Sequence, residues 1–234
     1  MDRRQLKKQL ISLLSSSDLH SIYAQLDGFP QKALLNPLFI ALCHPLEKVR
    51  WHAVCCFGKI VSVIAGKDFE AARVVMRRFL WTLNDESGGI GWGAPESMGE
   101  IMCHNRQLRE EYLHMLISYM REDGEELYQD GNYLELPLLQ RGLLWGVGRL
   151  CQVSPGQMVD AGVVDDLVAY LDSPDMQVRG MALWALSHLN TGVASADVLS
   201  LLDSTASLQL FSDGAMHTIA IADLARTVAE IPTA

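Results

Sequence analysis

The 234-residue sequence predicts an all-α fold of about five repeated helix pairs, on three observations. A motif returns every few tens of residues, apolar side chains recur at helical spacing through most of the chain, and no segment alternates as a strand would. The motif is fullest at two places. Val49-Arg50-Trp51-His52-Ala53 leads through Phe57-Gly58 to Ile60, and Val178-Arg179-Gly180-Met181-Ala182 leads through Leu186-Ser187 to Leu189 at identical internal spacing. A proline-containing turn precedes each, His44-Pro45-Leu46-Glu47 and Ser173-Pro174-Asp175-Met176. Ala94…Met98-Gly99-Glu100-Ile101 and Leu143…Val147-Gly148-Arg149-Leu150 repeat the second half, and His217…Ile221-Ala222-Asp223-Leu224 is a weaker fifth copy. The small residue of each copy (Gly58, Gly99, Gly148, Ser187, Ala222) thus recurs after 41, 49, 39 and 35 residues.

Taken in order, helical periodicity predicts helices over 4–15, 30–43 with a kink at Pro37, 46–65, 68–83, 94–104, 106–122, 137–152, 158–171, 174–190, 195–203 and 213–230. Gly66, Gly124, Gly131 and Gly192 fall between these runs, where glycine ends helices or supplies turn geometry. Residues 1–29 read as an N-terminal helical cap and 30–234 as the repeat array, one domain overall. Two connections are long: Asn84 to Gly93, rich in glycine, and the acidic stretch from Asp123 to Leu136.

Composition agrees with a folded chain that needs no staples, with 49% apolar and 20% charged residues. The five cysteines, Cys43, Cys55, Cys56, Cys103 and Cys151, form no CxxC pair and suit reduced thiols in a cytoplasmic protein. The opening MDRRQLKKQLISLL breaks into SSSD before reaching signal-peptide or membrane length, so neither export nor a membrane span is expected. A net charge of −9 disfavours nucleic acid and anionic lipid as partners.

The Val-Arg-x-x-Ala run with its small residue and following aliphatic, placed after a proline turn, resembles the second helix of a HEAT repeat. The likeness is greatest to the short bacterial repeats related to bilin lyases, and it covers about residues 30 to 230. GGIGWGAPESMGEI also resembles a run in small bacterial HEAT-repeat proteins. The resemblance implies a right-handed α-α superhelix, with the second helices lining a concave groove. It further implies that Arg50 and Arg179 build salt-bridge ladders between repeats.

On the helix of the first full copy, Val49, Ala53, Cys56, Phe57 and Ile60 share one core stripe. At about 100° per residue, Trp51, Cys55 and Gly58 point away from it. Across the copies the slot of Trp51 holds Trp92, Arg141, Gly180 and Ala215, and the slot of Cys55 holds Glu96, Trp145, Trp184 and Ile219. Four of the five tryptophans therefore fall on the side that the resemblance places in the groove. They either form a binding surface, where tryptophan and arginine are enriched, or pack between adjacent repeats. Pro95 belongs in a first helical turn, which sets Trp92 in the loop before it.

The candidate binding residues are thus Trp51, Cys55, Trp92, Glu96, Arg141, Trp145 and Trp184, and the expected partner is a protein or peptide held without catalysis. No cofactor is implied. His52 with Cys55 and Cys56, and Cys103 with His104, lack the spacing of a metal site, and no nucleophile–base pair can be argued from spacing. Free N–H groups where Ser87–Gly93 opens a helix could bind an anion, although no strand or Walker lysine accompanies them. Glu96 is either a site carboxylate with perturbed ionisation or a complement to the helix dipole. The alternative is an enzyme on this scaffold, since Trp92, Glu96, Arg141 and Trp145 resemble in composition the sites of HEAT-like DNA glycosylases and bilin lyases. The acidic net charge counts against the glycosylase.

Overall fold

The structure, a computed structural model, describes residues 2–84, 91–122, 132–189, 191–193 and 196–231. The chain forms two compact units, Met1–Tyr112 with Asp213–Ala215, and Leu113–Ser212 with Met216–Ala234.

The first unit holds α1 (Arg3–Ser16), α2 (Leu19–Leu26), α3 (Gln31–Leu42), α4 (Glu47–Ala65), α5 (Phe69–Asn84), α6 (Ala94–His104) and the start of α7 (Arg106–Ser118). Leu6, Leu10, Leu13 and Leu14 make the buried stripe of α1. Helix α2 was not expected from periodicity; its start is fixed by Asp18, whose carboxylate accepts the Ser21 N–H at 2.9 Å and its hydroxyl at 2.7 Å. Those bonds hold the Asp18 carboxyl below its ordinary range. Pro37 lies inside α3, as the spacing predicts. Phe39, Phe57 and Phe79 then join α3, α4 and α5 in one triangle, with ring centroids 4.7 to 4.9 Å apart.

The small-residue slot does what its size suggests. A Cβ on Gly58 would lie 2.6 Å from the His104 ring and 2.8 Å from the Glu100 side chain, so α4 and α6 approach more closely than alanine permits. The Ser62 hydroxyl donates to the His104 carbonyl at 3.0 Å, 42 residues on. Contacts at this separation along both helices mean that α4 and α6 run parallel, with Arg50 and Trp51 level with the start of α6.

The second unit continues with α8 (Pro137–Val153), α9 (Pro155–Asp160), α10 (Val163–Ala169), α11 (Met176–Leu186), α12 (Ala196–Ser200), β1 (Ser207–Ser212), β2 (Ala215–Ala220) from its second residue on, and α13 (Ile221–Glu230). Helices α8 and α11 also run parallel: Arg141 meets Asp175 and Gln152 meets His188, at separations of 34 and 36. The helix expected over 158–171 is broken into α9 and α10 at Gly162, whose φ of 78° no right-handed helix accommodates.

Two sequence expectations are corrected here. Residues 207–220 form a β-hairpin, where a helix from 213 and no strand at all were expected. The turn is Asp213-Gly214, with φ of 51° and 80°, the geometry that twists two strands into a tight hairpin. Leu208 and Leu210 point to the core while Gln209 is exposed, a period of two.

The arginine slots are also corrected. Arg50 donates to the carbonyls of His44 at 2.9 Å and Pro45 at 3.2 Å, and Arg179 donates to those of Ser173 and Asp172. Both guanidinium groups fold back on the turn before their own helix, and among the described residues neither forms an ion pair with another repeat.

Candidate binding site

The expected residues fall into two groups, and only the first-unit group includes an exposed tryptophan, Trp92. In the second unit Trp145 is 1% exposed, and its indole N–H donates to the Phe211 carbonyl of β1 at 2.8 Å. Trp184 is 5% exposed and lies against Gly148, where a Cβ would come within 2.3 Å of its ring. It also meets His188 edge to face, with centroids 5.5 Å apart. Both indoles therefore fill space between elements instead of facing solvent.

Arg141 is half-exposed and forms an ion pair with Asp175, whose Oδ1 caps α11 by accepting the N–H of Gln177 at 2.8 Å and of Val178 at 3.2 Å. Burial opposes ionisation of Asp175, yet Arg141 and the two amides hold its carboxyl below the ordinary range. Arg141 thus has a structural partner in Asp175.

In the first unit Cys55 is buried, and its carbonyl accepts the Tyr23 hydroxyl at 3.2 Å. The neighbouring Cys56 thiol is pushed well up by burial, which makes it a core residue rather than a reactive one. Trp51 is half-buried on α4. Trp92 is 40% exposed and stands before Gly93, the left-handed residue (φ 71°) that precedes α6.

Pro95 occupies the first turn of α6, and Glu96 follows it. Burial pushes the Glu96 carboxyl up to about 7, against the opposing pull of its own backbone N–H and of Arg50. Its Oε2 and the neighbouring Ser97 Oγ are sealed from solvent and have no hydrogen-bond partner among the described residues. Buried polar atoms are almost always paired, so two unpaired ones on successive residues mark this turn as unusual.

The other suggestions from the sequence resolve simply. His52 Nδ1 donates to the Leu14 carbonyl at 2.8 Å, and burial lowers its pKa. Among the described residues no three His, Cys, Asp or Glu side chains are grouped as a metal ion would require. Residues 85–90, which carry most of the suggested anion-binding loop, lie outside the described residues. Three side chains were not singled out from the sequence: Ser97, Gln177, which brackets β1, and Trp81, the most exposed tryptophan at 75%. Trp81 lies seven residues after exposed Val74, so the two mark an apolar streak on the outer side of α5, legible only once the buried side was known.

Residues 137–189 match the model of the HEAT-like repeat. They comprise α8 to α11, the parallel pair with its Gly148–Trp184 contact. A designed armadillo repeat protein superposes with a TM-score of 0.55 at 16% identity, covering 98% of this chain and 92% of that one. This is a helical-repeat fold of the HEAT/armadillo type. Computationally designed armadillo repeat proteins for modular peptide recognition match with a TM-score of 0.53 at 16% identity, over 97% of this chain and 91% of that one. A designed armadillo repeat protein in complex with the peptide (KR)4 matches at 0.51 and 16% identity, over 95% and 98%. At such identities the likeness is one of repeat fold alone. No curated protein matches the chain. Among the described residues of this repeat array, no helix is long and apolar enough to cross a membrane.

Proposed function

We propose that this repeat protein binds a protein or peptide partner through the first unit, where Trp92, Trp51 and Glu96 receive a lysine or arginine side chain. The observation that carries the reading is the Glu96 carboxyl group, whose Oε2 is buried without a donor among the described residues, four residues after the partly exposed Trp92. A cation would supply the missing donor and lie against an aromatic face, a combination that gains strength as water is excluded. Arg50 does not fill that role, because its guanidinium is engaged with the carbonyls of its own turn. Armadillo repeat proteins of similar fold, designed for peptide recognition or seen with (KR)4, fit the same class of partner.

The enzymatic alternative loses two of its four residues, since Arg141 is ion-paired and Trp145 is buried and hydrogen-bonded. Binding therefore accounts for more of the site than catalysis does.

The test is a titration of the full chain with a fluorescent lysine- and arginine-containing peptide, followed by anisotropy. Trp92→Ala and Glu96→Gln should each weaken binding about tenfold, as expected for a central aromatic or a charge-assisted contact. Affinity should also rise as pH passes upward through about 7, because the ionised Glu96 is the form that pairs with a cation. Wild-type affinity in Glu96→Gln across that range would remove the site.

A further inference from the structure

The β1–β2 hairpin has one sealed edge and one open edge. Its two-residue turn opposes Gln209 to Thr218, and their side chains are hydrogen-bonded at 3.1 and 3.2 Å. In an antiparallel pair, alternate residues direct N–H and C=O away from the partner strand. On β1 those residues are Ser207, Gln209 and Phe211, and side chains from two helices answer them. Gln177 donates to the Ser207 carbonyl at 2.7 Å and accepts the Gln209 N–H at 2.9 Å, while Trp145 donates to the Phe211 carbonyl at 2.8 Å.

On β2 the same alternation turns Met216 and Thr218 outward. No hydrogen bond to their backbone groups on that side occurs among the described residues. Strand β2 is exposed along nearly its whole length, and AMHTIA contains neither lysine nor proline, the residues that commonly blunt a free edge.

We propose that the open edge of β2 docks an extended segment of a partner protein as a third strand, with a basic residue at the end beside the Asp213 turn. The occupant follows from two features. A row of alternating donors and acceptors fits an extended backbone, as in strand addition to a sheet edge. Charge then distinguishes a foreign segment from a second copy. Residues 197–230 hold Asp197, Asp203, Asp213, Asp223 and Glu230 against Arg226 alone. Asp223 is paired with Arg226, whereas Asp213 is exposed with no ion pair among the described residues. A second copy would bring the same net-acidic segment against itself, a like-charge meeting that a basic segment avoids. This surface uses no residue of the Glu96 site.

The full chain is titrated at low salt with a fluorescent synthetic heptapeptide that alternates valine and threonine between terminal lysines. Saturable binding is expected, weakened about tenfold or more by Thr218→Pro, which removes an outward N–H. Thr218→Val, which keeps the backbone, and Glu96→Gln should bind as wild type. N-methylation of one alternate set of peptide amides should abolish binding while methylation of the other set leaves it, and this pair decides the matter if Thr218→Pro fails to fold. Absence of binding, equal behaviour of the two methylated peptides, or full affinity in a folded Thr218→Pro overturns the proposal. So does a sedimentation experiment in which the chain dimerises and Thr218→Pro alone abolishes the dimer, since the edge then belongs to a second copy.

Discussion

Repeat slots that hold buried indoles in the second unit hold a buried thiol and a carboxyl group in the first, next to more accessible tryptophans. On α8 and α11 they hold Trp145 and Trp184, each out of solvent and each with a defined neighbour, a strand carbonyl in one case and a glycine backbone in the other. On α4 and at the start of α6 they hold Cys55 and Glu96, with Trp51 half-buried and Trp92 partly in water. Helical periodicity sets the direction in which a side chain leaves its helix. Whether that direction ends in core or in solvent depends on what the chain places opposite, and in the second unit it places β1.

The largest effect that would sharpen this contrast is Trp145→Ala. It leaves a cavity and an unanswered Phe211 carbonyl, so a loss of about 3–5 kcal/mol is expected in urea unfolding. A loss below about 1 kcal/mol would break the comparison.

Glu96→Gln should act next, and in the stabilising direction. The carboxyl sits near 7 in the folded chain against an ordinary 4.5, so the folded state holds a proton that the unfolded state has released. The stability that proton confers is complete below about 4.5 and is lost as pH rises through about 7. At about 1.4 kcal/mol per unit, the wild type should lose roughly 2–3 kcal/mol between pH 4.5 and 8, and Glu96→Gln should not. Unfolding midpoints of the two proteins at pH 5 and 8 measure this directly.

Gly148→Ala pushes a methyl into the Trp184 ring and should cost about 1–3 kcal/mol by thermal unfolding. Arg141→Ala removes an ion pair that is well exposed on the arginine side, so after solvent screening about 1 kcal/mol or less is expected. Smallest is Trp92→Ala, which should change stability by about 0.5 kcal/mol or less. A Trp92→Ala protein as destabilised as Trp145→Ala would make the two units alike.

Much of the repeat was legible from residues alone, because the second helices carry a motif tied to their own packing. The helix expected over 94–104 is found as Ala94–His104, and the small-residue slot is where neighbouring helices touch at Gly58 and Gly148. The hairpin was not read, because Leu208 and Phe211, then Ala215 and Ile219, also satisfy helical spacing. Asp213-Gly214 was the local signal that decides between the two periods. The tryptophan slots were expected to face out of the array, and Trp145 and Trp184 are buried there. That burial was not legible, since it depends on a strand 66 residues away and on the close approach of another helix. Glu96 stood out as a carboxylate in a first turn, but its missing donor is a property of the space around Oε2 and leaves no mark in sequence.

The inward-folded arginines have a consequence for how such an array is extended. Arg50 and Arg179 spend their hydrogen bonds on carbonyls within their own hinge, six residues back in each case, so those bonds need no acid supplied next door, and Arg50 acts on Glu96 only through space. A helix pair of this design carries its own closure. Whole pairs can be duplicated or deleted without stranding a cation, which makes the arginine a device of modularity more than of cohesion.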